Sequence, residues 1–154
     1  MNAFEFVKKH GWEAVIEAVK STTAEETAAF ESTDLDPILA KDGSVIGFNV
    51  KVYAIPYVEV KSLVESYEIV SKFESIADAK EAINNAPEAA NEFRKLSCGT
   101  RYIKVGPRFF EYWDGSKWCR PTVPFTEENH ILRFTPLARL DQAIADVESV
   151  GGGV

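Results

Sequence analysis

Apolar positions along this chain repeat with two different periods. Drawn as one helix, residues 3–20 gather Phe4, Val7, Trp12, Ala14, Val15, Ile16, Ala18 and Val19 on one broad face. Phe6 then falls on the opposite side, among Lys9, Glu13, Glu17 and Lys20. Gly11 resolves the conflict by ending a short helix at His10 and letting Trp12 begin another at a new angle. Thr23-Ala24-Glu25-Glu26 matches a capping box and predicts a further helix, fading over residues 32–36 ahead of Pro37.

After the turn signal Asp42-Gly43 the period becomes two. Ile46, Phe48, Val50 and Val52 alternate with Gly47, Asn49, Lys51 and Tyr53, the pattern of a half-buried strand. Pro56 interrupts the ladder, so residues 57–61 read as a separate strand or an edge continuation. Residues 63–73 fit helix or strand; 67–73 read as a strand because a new helix starts cleanly at Ser75, with Ile76, Ala79, Lys80 and Ile83 at helical spacing and Asn84-Asn85 at its end. Pro87 opens a short helix whose inner face would use Ala90, Phe93 and Leu96.

From Thr100 the chain reads as a meander. Strands at 101–105 and 108–113 join at Gly106-Pro107, and the turn at 114–117 leads to Trp118-Cys119-Arg120, with Trp113 and Trp118 placed to pack across it. Residues 131–134 add a strand. The last helix has Thr135 as N-cap, Pro136 in the first turn, Leu137, Leu140, Ile144 and Val147 on one face, and Gly151 as its stop. The fold class predicted is α+β: N-terminal helices, an antiparallel sheet, and a C-terminal helix packed on it. Organisation reads as a single domain over 1–150, with a helical lead over 1–36, an α+β body over 43–150 and a flexible tail at 151–154.

Composition supports a globular chain: 154 residues, 45% hydrophobic and 27% charged, which excludes disorder and collagen-like repetition. No stretch approaches the roughly 18 apolar residues of a membrane span, and the opening residues lack a basic start followed by an apolar core. With two cysteines, both expected to stay reduced, the expected location is the cytoplasm, with no membrane partner. Net charge is −7 but uneven: residues 1–92 hold 17 acids and 8 bases, residues 93–154 hold 7 acids and 9 bases, and every arginine lies in the second part.

Chemistry-bearing patterns are few. Residues 94–120 interleave seven bases with six aromatics, the mixture that neutralises phosphates and stacks on unpaired bases; Arg101, Tyr102, Lys104 and Arg108 would form that nucleic-acid face. An overall acidic chain argues against it, and aromatics inward with cations outward describes any soluble meander. A catalytic thiol would need Cys98 or Cys119 beside His10 or His130. Those four residues lack CxxC or HxxxH spacing for a metal. The paired acids Glu25-Glu26, Asp34-Leu35-Asp36 and Glu127-Glu128 suit helix first turns better than paired general acid–base chemistry. No phosphate-cradling glycine loop is present, so no cofactor or metal is expected. The remaining signal is the acidic helical lead, whose Glu13, Glu17, Glu25 and Glu26, with rings such as Phe6 or Phe30, would seat on a partner protein.

The opening Phe4-Glu5-Phe6-Val7-Lys8-Lys9-His10-Gly11-Trp12-Glu13-Ala14-Val15 resembles the start of small accessory proteins from the early regions of lambda-like bacteriophages. The resemblance covers that stretch alone and carries over no functional residue. It implies a viral gene product acting in the host cytoplasm, of a class that binds host proteins or counters host defence. The expected function is therefore a non-enzymatic accessory protein that binds a host macromolecule, with nucleic-acid binding through the meander as the alternative.

Overall fold

The computed structural model describes residues 1–22, 29–97, 99–107, 109–120 and 134–151. The fold is α+β, with five helices and two antiparallel sheets among those residues. It divides into two compact units, Met1–Val64 and Glu65–Val154.

The first unit starts with α1 (Ala3–His10) and α2 (Trp12–Lys20). Asn2 and Glu5 form a reciprocal capping box at the start of α1. Gly11, at φ 83°, makes the break between the helices in a backbone conformation that a side chain would disfavour. With the break in place, Phe6 and Val7 of α1 and Val15 and Val19 of α2 are all buried. Phe6 is therefore not an exposed contact ring: it stacks on Phe30 at 5.7 Å, and Phe30 lies 5.7 Å from Tyr57.

Next come β1 (Ala29–Leu39) and β2 (Val45–Pro56), an antiparallel hairpin closed at Asp42-Gly43. The predicted helix tail over 29–36 is thus a strand. Its register against β2 pairs residue after residue, and these long-range pairs outweigh the local helix-start signal. The capping box itself lies outside the described residues. Pro56 does end the ladder, but the chain continues as α3 (Tyr57–Val70) rather than as strands at 57–61 and 67–73. Tyr57, Val60, Leu63, Val64 and Val70 recur at helical spacing and are buried, and that periodicity overrides the β preference of Tyr and Val. The first half of α3 belongs to the first unit and the remainder to the second.

In the second unit, α4 (Ile76–Asn84) is capped by Ser75, whose side chain accepts from the Asp78 N–H. Then follow β3 (Glu92–Leu96), β4 (Gly99–Val105), β5 (Phe110–Trp113), β6 (Trp118–Cys119), β7 (Thr135–Pro136) and α5 (Leu137–Val150). The sheet order is β6-β5-β4-β3-β7, antiparallel throughout. The short helix expected after Pro87 is a turn leading into β3. Phe93 is buried as expected, but through strand pairing with Tyr102 and Thr135. Thr135 and Pro136 pair with β3, and the final helix starts at Leu137 with Pro136, not Thr135, at its N-cap and no side-chain cap bond. Leu140, Ile144 and Val147 are buried and Gly151 closes α5 in the left-handed region. Of the strand expected at 131–134, residues 131–133 lie outside the described residues.

Two sets of side-chain contacts fasten this unit. Tyr102 donates its hydroxyl to the Ala82 carbonyl of α4, while Phe73 and Phe93 pack at 6.0 Å. Ser66, on α3, donates to Asp146 of α5 at 2.7 Å, and Gln142 donates to the other carboxylate oxygen at 2.9 Å. Glu92 is less well served: its Oε2 is buried with no hydrogen-bond partner among the described residues, and burial raises its pKa. A raised folded-state pKa means that stability present at low pH is lost as pH climbs through that value. Glu92→Gln is accordingly expected to raise the melting temperature at neutral pH. The gain should vanish below pH of about 4, where the wild-type carboxyl is also neutral. Thermal melts of both proteins at the two pH values check this.

Candidate functional site

Strand alternation gives the β1–β2 hairpin two chemically opposite faces. On one lie Phe30, Ser32, Asp34, Asp36 and Ile38 of β1 with Ile55, Tyr53, Lys51, Asn49 and Gly47 of β2 as cross-strand partners. This face meets α1. Lys9 donates to Asp34 at 2.8 Å and to the Thr33 carbonyl, and His10 Nε2 lies 3.2 Å from Ser32 Oγ.

The other face carries Thr33, Leu35 and Pro37 of β1 and Phe48, Val50 and Val52 of β2, and continues at the tip into Leu39 and Ile46, where a register shift between Ile38 and Leu39 pairs Leu39 with Val45. Leu35, Leu39, Ile46, Phe48, Val50 and Val52 are 55–68% exposed. The sequence pattern is right about the strand and wrong about its burial. Alternation marks a face that water disfavours but does not name its cover, and α1 sits on the polar side of the hairpin instead. The six side chains present on the order of 600 Å² of apolar surface, the upper end of the largest patches found on single chains, which are often functional. A two-stranded ribbon also has two open edges and little stability of its own in water. The acidity of the unit is kept off this face: between positions 33 and 39 on β1, and 46 and 52 on β2, its side chains carry no charge.

The residues expected to bind a partner protein are partly placed. Glu13 and Glu17 are exposed and one turn apart on α2, so they share one side of that helix. Glu25 and Glu26 lie outside the described residues. The nucleic-acid set does not share a surface. Arg101 faces one side of the sheet, its guanidinium 5.2 Å from the Tyr112 ring centre, while Tyr102 and Lys104 face the other. Lys104 lies 3.5 Å from Glu111 and 4.9 Å from the Trp118 ring centre. Burial and the charge of Glu81 push the Tyr102 pKa up. Arg108 lies outside the described residues.

Cys98, Glu127, Glu128 and His130 also fall outside them. Cys119 faces Asp114 Oδ2 at 3.4 Å, and burial followed by that carboxylate raises the thiol pKa, the opposite of nucleophile activation. Asp114, held by the Ser116 and Lys117 N–H groups at the turn, is pulled down to about 2. Trp113 and Trp118 do pack across this turn, edge to face at 5.3 Å. Among the described residues no three His, Cys, Asp or Glu side chains are grouped to hold a metal ion, and no helix is long and apolar enough to cross a membrane. A groove of about 500 Å³ in the second unit is lined by Phe73, Asp78, Glu81, Lys95, Thr100 and Tyr102. Comparison with protein-family models, curated proteins and solved structures finds no match to this chain.

Proposed function

We propose that this chain is a non-enzymatic, phage-encoded accessory protein that binds a host macromolecule in the host cytoplasm, as a host-interaction or anti-defence inhibitor. One observation carries the reading: the exposed acids Glu13 and Glu17 share one side of α2, a charged surface for a basic protein partner. The exposed apolar face of the hairpin, uncharged between positions 33 and 39 on β1 and 46 and 52 on β2, marks the unit as one built for association. Nucleic-acid binding has less support. The cations of Arg101 and Lys104 lie over Tyr112 and Trp118, rings on which a base would otherwise stack.

Immobilised protein is expected to capture one host protein in stoichiometric amount from bacterial lysate. The pair Glu13→Lys and Glu17→Lys should cut that recovery about tenfold, a change of roughly 1.4 kcal/mol. Failure to recover a specific protein, or recovery indifferent to both reversals, contradicts the reading.

A further inference from the structure

We infer that the bare face of the β1–β2 hairpin is where two copies of this chain join, face to face and with the hairpins pointing in opposite directions. The inference rests on reading that face as a contact surface, and it goes further by naming the occupant.

Area is the first argument. About 600 Å² of apolar surface per copy, doubled across a two-fold axis, reaches the lower end of stable protein interfaces, roughly 1,200–2,000 Å² in total. Two hairpins packed as a small sandwich would bury Leu35, Leu39, Ile46, Phe48, Val50 and Val52 of each copy in a layer about 10 Å thick. The face contains nothing but apolar groups and Thr33 between its ends, so no charged group is stranded when a like surface covers it.

Charge at the two ends is the second argument, and it selects the orientation. Glu31 stands at the base of the same face, opposite Ala54, and is exposed. Lys41 is exposed in the turn at the tip, where the neighbouring Asp42 carboxylate is taken up by the Ser44 N–H and hydroxyl. Glu31 lies five residues before Asp36 on β1, and Lys41 five residues after it, past the end of the strand at Leu39, so the Leu35–Val50 and Pro37–Phe48 pairs lie near the middle of the face. A two-fold axis there sets the base of each hairpin against the tip of the other and brings Glu31 of each copy toward Lys41 of its partner. A parallel arrangement would instead set Glu31 against Glu31 and Lys41 against Lys41. An isologous contact needs this self-complementarity.

The test is sedimentation of the full chain over a concentration series. Wild type is expected to be a dimer at tens of micromolar. Phe48→Asp, at an exposed position that leaves folding intact by circular dichroism, should weaken association at least a hundredfold, and Val50→Asp likewise. Glu31→Lys alone and Lys41→Glu alone should each weaken it about tenfold, since every dimer holds two such contacts. Both changes in one chain should restore it to within about twofold. A wild type monomeric throughout, a dimer that persists in Phe48→Asp, or a double swap as weak as the singles overturns the inference. If wild type is monomeric and Phe48→Asp loses host capture, the face belongs to a different protein; this inference then fails while the host-binding reading stands. A dimer with no host capture has the reverse meaning.

Discussion

Phe93→Ala is expected to destabilise the second unit by about 3–5 kcal/mol, the range for emptying a buried aromatic site. Phe93 sits on β3, between β4 and β7, with 1% of its surface exposed and the Phe73 ring 6.0 Å away. A cavity there cannot be filled cheaply, because β3 is paired on both sides and the cross-strand neighbour Tyr102 is tied to the Ala82 carbonyl. Domains are stable by only about 5–15 kcal/mol, so the loss is a large share of the total. Urea unfolding followed by near-ultraviolet circular dichroism, where the Trp113–Trp118 pair reports on this unit, should show the transition moving to much lower denaturant. A midpoint close to wild type would mean that the sheet is not organised around Phe93.

Asp146→Ala comes next, at about 2–4 kcal/mol. A buried carboxylate on an apolar helix face looks unfavourable until its partners are counted. Ser66 and Gln142 each donate to one oxygen, and Arg139 donates to Ser66 at 3.0 Å. Removing the acceptor leaves the buried Ser66 hydroxyl without it, which costs more than the net value of the bond. Asp146→Asn, which retains one carbonyl oxygen, should lose only about 1 kcal/mol. In a double-mutant cycle the pair Ser66→Ala and Asp146→Ala should cost clearly less than the two single changes added together. Full additivity would show that the two side chains do not act as a unit.

Much of the fold can be read from short-range signals. Gly11 as a helix break, Ser75 as a cap, Asp42-Gly43 as a hairpin turn, the tryptophan pair around 114–117 and the apolar stripe of the last helix all depend on neighbours within a few positions, and all are present. The misreadings arise where distant pairing decides. Residues 29–36 have a helix-start signal upstream and become a strand through β2; residues 92–96 come after a helix-favouring Pro87 and become a strand through β4 and β7. Tyr57 to Val70 misled in the opposite way, by residue type, although Tyr57, Val60, Leu63 and Val64 already carried helical spacing.

The exposed apolar face is half legible in the sequence. The apolar alternation over 46–52 is plain in the sequence, but its exposure depends on which side of the hairpin α1 covers. The polar set Asp34, Asp36, Asn49 and Lys51 held a clue, since Lys9 and His10 at the end of α1 are chemically suited to that side. Glu13 and Glu17 could be placed on one helical side from their spacing alone, whereas Arg101 and Lys104 cannot act together because strand alternation separates them.

Methyl NMR with a soluble paramagnetic agent tests most directly whether the hydrocarbon face of the hairpin is open to water. In protein dilute enough to be monomeric, the methyl groups of Leu35, Leu39, Ile46, Val50 and Val52 should broaden strongly, while those of Ile55, Ile103 and Leu140 should not. Protection of the first group at that dilution would mean that the chain covers the face itself, and would contradict the account.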